Sequence, residues 1–122
     1  MTLSELYEAI GGDYAQAQKV LRVDKLIDKH IRKFPDNKIF PDLFEAAKNM
    51  DASGLFESSH AIKGVCGNLG LVKTATLASK VSEEFRPGNP RVMSDPELIA
   101  VVDEIKSLYE LSCAKIREYA AG

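Results

Sequence analysis

At 122 residues and 13.4 kDa the chain has the length of one ordinary domain. Its expected folded surface of about 6,500 Å², against about 19,000 Å² for the extended chain, leaves room for one core without staples. With 45% apolar and 28% charged residues the composition excludes a disordered chain, and no stretch approaches the roughly twenty apolar residues of a membrane helix. Met1 to Ile10 carry Glu5 and Glu8 and no basic start, which does not read as a signal peptide. Cys66 and Cys113, the two cysteines, lack metal-ligand spacing and are expected as buried thiols in a reducing, cytoplasmic compartment. The net charge of −2 conceals a basic segment, Lys19 to Lys38, with seven basic residues against three aspartates. Asp24 and Asp28 interrupt those charges and no exposed aromatics alternate with them, so a solvated helix face is the expectation there rather than nucleic-acid binding.

Capping signals divide the chain into helices. Thr2-Leu3-Ser4-Glu5 is a capping box opening a short helix with Leu3, Leu6, Tyr7 and Ile10 inward, ended by Gly11-Gly12. Asp13 caps a second short helix through Leu21. Asp24 is expected to cap a third, with Leu26, Ile27, Ile31 and Phe34 apolar, stopped at Pro35. Pro41 suits the first turn of a fourth helix running to Asn49, with Leu43, Phe44 and Ala47 inward. Asp51 caps a fifth, to Leu69, with Gly70 just past its end. A sixth covers Val72 to Arg86, and Pro87-Gly88-Asn89-Pro90 breaks the chain. Ser94-Asp95-Pro96-Glu97 is a second capping box, starting the longest helix, to Tyr119, whose apolar stripe runs from Leu98 to Ile116. Strand signals are nearly absent. The fold class predicted is all-α, an antiparallel four-helix bundle with short N-terminal helices packed on it. One domain over 1–122 is expected: 1–40 an N-terminal helical extension with the first long helix, 41–120 the remaining bundle.

The fifth helix carries two stripes. Leu55, Ser59, Ile62, Cys66 and Leu69 are spaced as a core face. Rotated one residue on are Phe56, His60, Lys63, Gly64 and Gly67. Two glycines within a helix cost roughly 1 kcal/mol each against alanine, so stability alone does not account for both on one face. Their effect is bare backbone beside His60, which another protein can approach closely. Lys63 stands one turn from His60, where an ammonium can reach an anion held on the imidazole. A free imidazole, with an ordinary pKa of about 6.5, is largely a neutral nucleophile at pH 7. A phosphoryl group on its nitrogen brings negative charge that a nearby cation stabilises. On the sixth helix Ser79, Ser82, Glu83 and Arg86 share a polar face, and Ser82 also borders Leu71, Ala75, Ala78 and Phe85, so it can face the neighbouring helix. His30, between Lys29 and Ile31 with no glycine nearby, is assigned no role.

The string His60-Ala61-Ile62-Lys63-Gly64-Val65-Cys66-Gly67-Asn68-Leu69-Gly70 closely resembles the signature of histidine-containing phosphotransfer (HPt) domains. Phe44 to Asp51 resembles the family's helix and acidic cap ahead of the phosphoacceptor helix, and the resemblance extends over nearly the whole chain. It implies that His60 is phosphorylated on its solvent-facing ring nitrogen, and that Lys63 stabilises the phosphoryl group. Gly64 and Gly67 would let a receiver domain bring its aspartate close, with Phe56 in the docking surface. Arg86 matches a position where some members carry a basic residue. Some members use a glutamine on the sixth helix to bond the imidazole; here Ser82 stands instead, short enough to need a bridging water.

The resemblance implies a phosphocarrier in a two-component phosphorelay, with a histidine kinase and receiver domains as partners and neither nucleic acid nor a membrane among them. No phosphate-binding glycine loop or nucleotide motif is present, so autokinase activity is not expected, and no cofactor or metal is called for. The alternative is a helical interaction module in which the glycines serve packing and His60 is incidental. Further behind are nucleic-acid binding by residues 19–38 and metal binding by His30 and His60.

Overall fold

The computed structural model describes residues 1–122 and is 80% helical with no strand. Seven α-helices begin where side chains or turns can satisfy their free N–H groups. In α1 (Leu3–Ile10) the capping box forms in both directions between Thr2 and Glu5, and Gly11 in the left-handed region ends the helix. Asp13 accepts from the Gln16 N–H to cap α2 (Tyr14–Leu21).

The third helix, α3 (Asp24–Lys33), departs from expectation. Its N-cap is Val23, with no side-chain cap, and Asp24 is already helical. The carboxylate of Asp24 accepts from the Tyr14 hydroxyl at 2.6 Å instead. Of its apolar residues Leu26 is exposed, and α3 buries Ile27 and Ile31. A 3-10 turn over Phe34–Asp36 follows at Pro35. The fourth helix, α4 (Ile39–Lys48), starts two residues ahead of Pro41, which brings Phe40 onto its buried stripe with Leu43 and Ala46. Phe40 stacks on Tyr109 at 4.3 Å between ring centroids, and Phe44 and Ala47 are only half-buried. The remaining helices are α5 (Ala52–Asn68), α6 (Val72–Phe85) and α7 (Asp95–Ala121), the last opened by its Ser94–Glu97 capping box.

Helix α5 packs between α4 and α6, and α7 closes the ring by touching both of those. Met50, Ala52, Phe85 and Asp95 line one depression, so the ends of α4 and α6 meet the starts of α5 and α7 there. Consecutive helices of this ring therefore run antiparallel. The ring begins at Ile39, and α3, counted from sequence as the first long helix, packs outside it against α2 and α7. Its narrow buried stripe suits a one-sided contact. All seven helices contribute to one core cluster of 23 buried residues. None is long and apolar enough to cross a membrane.

Two polar ties fix the connections. The carboxylate of Glu84, almost fully buried, accepts from the N–H groups of Val92 and Met93 at 2.9 and 2.8 Å and from Arg91 Nε at 3.4 Å. It staples the loop after the proline break to the end of α6. At the opposite end, the buried Tyr7 hydroxyl donates to the Leu69 carbonyl at 2.6 Å, and burial pushes its pKa up. The Gly70 carbonyl accepts from Asp13 N at 2.7 Å. Gly70 has φ +73°, and a Cβ there would collide with the Asp13 carbonyl oxygen. Replacing Gly70 with alanine is expected to cost at least about 2 kcal/mol, from the left-handed backbone and the collision together, read as a lowered urea midpoint with unchanged slope.

Candidate functional site

The α5 helix is anchored by Asp51, whose side chain accepts from the Gly54 N–H at 3.2 Å. Its rotation is set by Leu55, Ser59, Ile62 and Cys66, each with no exposed surface. The two buried serines are satisfied within the helix: Ser58 Oγ donates to the Gly54 carbonyl at 2.6 Å and Ser59 Oγ to the Phe56 carbonyl at 3.1 Å. Burial alone pushes the Cys66 thiol up to about 12, so it is a protonated, unreactive core group near neutrality.

With that stripe inward, the second stripe faces out. His60, Lys63 and Gly64 are exposed, while Phe56 and Gly67 are half-buried. The imidazole lies against the Phe56 ring, with centroids 5.6 Å apart and planes 23° from parallel. The Arg86 guanidinium carbon also stands over Phe56, 5.6 Å from the ring centroid. Arg86, Phe56 and His60 thus form one chain of contacts bridging α6 and α5. Arg86 Nη2 donates to Glu83 Oε1 at 2.7 Å. That hydrogen bond holds the Glu83 carboxyl below its usual range, with the charges of Arg86 and Lys63 acting in the same direction. Both side chains of the pair are about half exposed, so it contributes little to stability.

Gly64 and Gly67 answer the question that the sequence leaves open. A Cβ built on either would meet nothing within 4 Å. The missing side chains are not required by any helix packed against α5; they leave open surface one turn and two turns beyond His60. Ser82 is fully buried in α6, and its hydroxyl has no hydrogen-bond partner. It makes no bond to the imidazole. Arg86 likewise reaches Phe56 and Glu83 rather than His60.

The structure therefore brings Phe56, His60 and Arg86 together directly and sets Lys63, Gly64 and Gly67 on the same face. The sequence places Glu83 on this polar face three residues before Arg86, and the structure pairs the two. Asn89, which donates to the Glu83 carbonyl at 2.9 Å and closes the end of α6, went unmarked because its partner is a backbone atom. His30 lies in a groove with Leu21, Lys33, Phe34 and Asn68, away from this stack. No group of three or more His, Cys, Asp or Glu side chains is placed to hold a metal ion.

The family model described as the Hpt domain matches residues 3–115. The chain belongs to the Hpt domain family. Hpt domains are helical bundles that serve phosphotransfer in two-component signalling, where they interact with receiver domains and kinases. The chain matches no curated protein and no solved structure. In this Hpt domain the open surface at Gly64 gives a stability signature. Gly64→Ala, in helical backbone with free space for the methyl, is expected to raise stability by about 1 kcal/mol, measured by chemical denaturation. A loss of stability would mean that the glycine has an internal packing role after all.

Proposed function

We propose that this Hpt domain is a phosphocarrier in which His60 accepts a phosphoryl group from a receiver aspartate and returns it. The observation that carries the reading is the bare surface at Gly64 and Gly67, which no internal contact explains, next to an exposed imidazole. In the forward step a ring nitrogen of His60 attacks the phosphorus of an aspartyl phosphate. A P–N bond forms, the P–O bond breaks, and the aspartate leaves as carboxylate. The reverse step is the same exchange read backwards, which a carrier requires.

Lys63 supplies positive charge one turn from the acceptor, and it takes part in none of the chain's five ion pairs, so its ammonium is free to meet phosphoryl oxygens. Gly64 and Gly67 let the partner's backbone and aspartate come within bonding reach. Phe56 orients the imidazole by stacking and offers apolar surface for docking. Arg86 adds positive charge over that ring. Ser82, with an unpartnered hydroxyl, is placed to hold the ring only through a water or a side-chain turn. The reading takes residues 1–122 as one working unit in the cytoplasm, with a histidine kinase upstream. It includes no cofactor of the chain's own; acid–base groups and magnesium belong to the receiver.

Incubation with a phosphorylated receiver, or with phosphoramidate as a small donor, is expected to leave acid-labile phosphate on the protein. His60→Ala should abolish the label while helix content is retained, and persistence of the label in that variant would remove the assignment. Lys63→Ala is expected to lower the yield of phosphohistidine roughly two- to tenfold, because the ammonium stabilises the charged phosphoryl group once it is on the ring and is screened by solvent. Gly64→Gln should slow exchange with the receiver far more than labelling by phosphoramidate, because only the receiver needs the open surface.

A further inference from the structure

Glu83 pairs with Arg86, one of the two cations of the site. Its carboxylate takes Arg86 Nη2 at 2.7 Å and Nε at 3.3 and 3.4 Å, a forked pair that fixes the guanidinium plane. Held this way, Arg86 lies over Phe56, the ring that also stacks on the imidazole. Lys63, on the neighbouring helix, also acts on the same carboxylate through its charge. The arrangement is unusual for a site that would have to bind a dianion. Its guanidinium, the group best shaped to fork onto phosphoryl oxygens, is already occupied by a carboxylate one turn away.

We propose that Glu83 is a brake on phosphoryl retention: by pairing with Arg86 it keeps the guanidinium off the phosphoryl group and so keeps phosphohistidine short-lived and readily passed on. The proposal rests on His60 being the phosphoacceptor. Glu83 touches neither the imidazole nor the phosphoryl group and is a positioning residue that acts through Arg86. The chemistry sets the direction of the effect. Loss by hydrolysis begins with a water oxygen attacking phosphorus. The P–N bond breaks, its electron pair returns to the ring nitrogen, that nitrogen takes a proton, and inorganic phosphate departs. In the loose transition state negative charge drains from the phosphoryl group, which carries close to two charges at rest. A guanidinium bound to its oxygens therefore stabilises the resting phosphohistidine more than the transition state. Arg86 released from Glu83 lengthens the lifetime, and Arg86 held by Glu83 shortens it.

The test labels the full chain with phosphoramidate, removes the donor, and follows phosphohistidine at neutral pH by phosphorus NMR. Glu83→Gln is expected to extend the lifetime roughly two- to fivefold, the range open to a charge interaction between exposed groups. Glu83→Asp, which keeps the charge, should return it toward the wild-type value. In the double variant Glu83→Gln/Arg86→Gln the gain should vanish, because the arginine that would use its freedom is gone. Equal lifetimes in wild type and Glu83→Gln, an extended lifetime in Glu83→Asp, or a gain that survives loss of Arg86 would each overturn the proposal. A merely structural role for the pair would shift the thermal midpoint and leave the lifetime unchanged, which also overturns it. Label that never reaches His60 in any variant defeats the phosphoacceptor reading itself and this proposal with it. Normal labelling with equal lifetimes defeats the brake alone.

Discussion

Complete burial of Leu55, Ser59, Ile62 and Cys66 fixes the rotation of α5 about its own axis, and the whole outer surface of the site follows from that angle. Each helical residue turns the chain by about 100°, so a slip of one position would carry His60 into the α5–α6 contact and bring a core residue to the surface. The anchoring is redundant. Asp51 caps the start of the helix, α4 and α6 grip its sides, and the Tyr7–Leu69 and Asp13–Gly70 hydrogen bonds clamp the turn beyond its end. A site built from exposed side chains gains its precision from the buried half of the same helix.

Three glycines within seven positions obey different physics. Gly70 is bound to its place by backbone geometry: a left-handed φ and an adjacent carbonyl leave no volume for a methyl. Gly64 and Gly67 are in ordinary helical backbone with empty space around them, where alanine is the better helix former. The first protects the fold; the other two weaken the helix and leave its surface low. Ser82 belongs with the second kind. A buried hydroxyl without a partner costs of order 1–3 kcal/mol relative to a satisfied one, and an apolar residue would suit that buried position better. The departures from best helix stability at Gly64 and Gly67 both fall within two turns of His60, on the exposed side of α5.

Much of this was legible in the residues. Capping boxes at Thr2 and Ser94, the Asp13 and Asp51 caps and the Pro87–Pro90 break are short-range signals, and they placed the corresponding helix ends to within a residue or two. Asp24 misled because an acidic residue suits the first turn as well as the cap, and only the nearby Tyr14 hydroxyl decides between them. Pro41 does fall in the first turn of α4, and what the residues did not show is that Phe40 ahead of it stacks on Tyr109, far along the chain. The membership of the four-helix ring was not readable at all, since α3 and α4 are both ten residues long and differ in which neighbours their stripes meet. For the site, the glycines and the histidine–lysine spacing were visible. The Arg86–Phe56 contact was not, because it arises across two helices, whereas the Arg86–Glu83 pair is an i,i+3 spacing within one segment.

The Phe56–His60 stack also gives the molecule an internal reporter. A phenyl ring 5.6 Å from the imidazole centroid and nearly parallel to it places the histidine ring protons within reach of its magnetic anisotropy. Any event that tilts or lifts the imidazole changes how far those protons are shielded. The Phe56 ring therefore encodes, in the proton spectrum, whether the imidazole is resting or displaced.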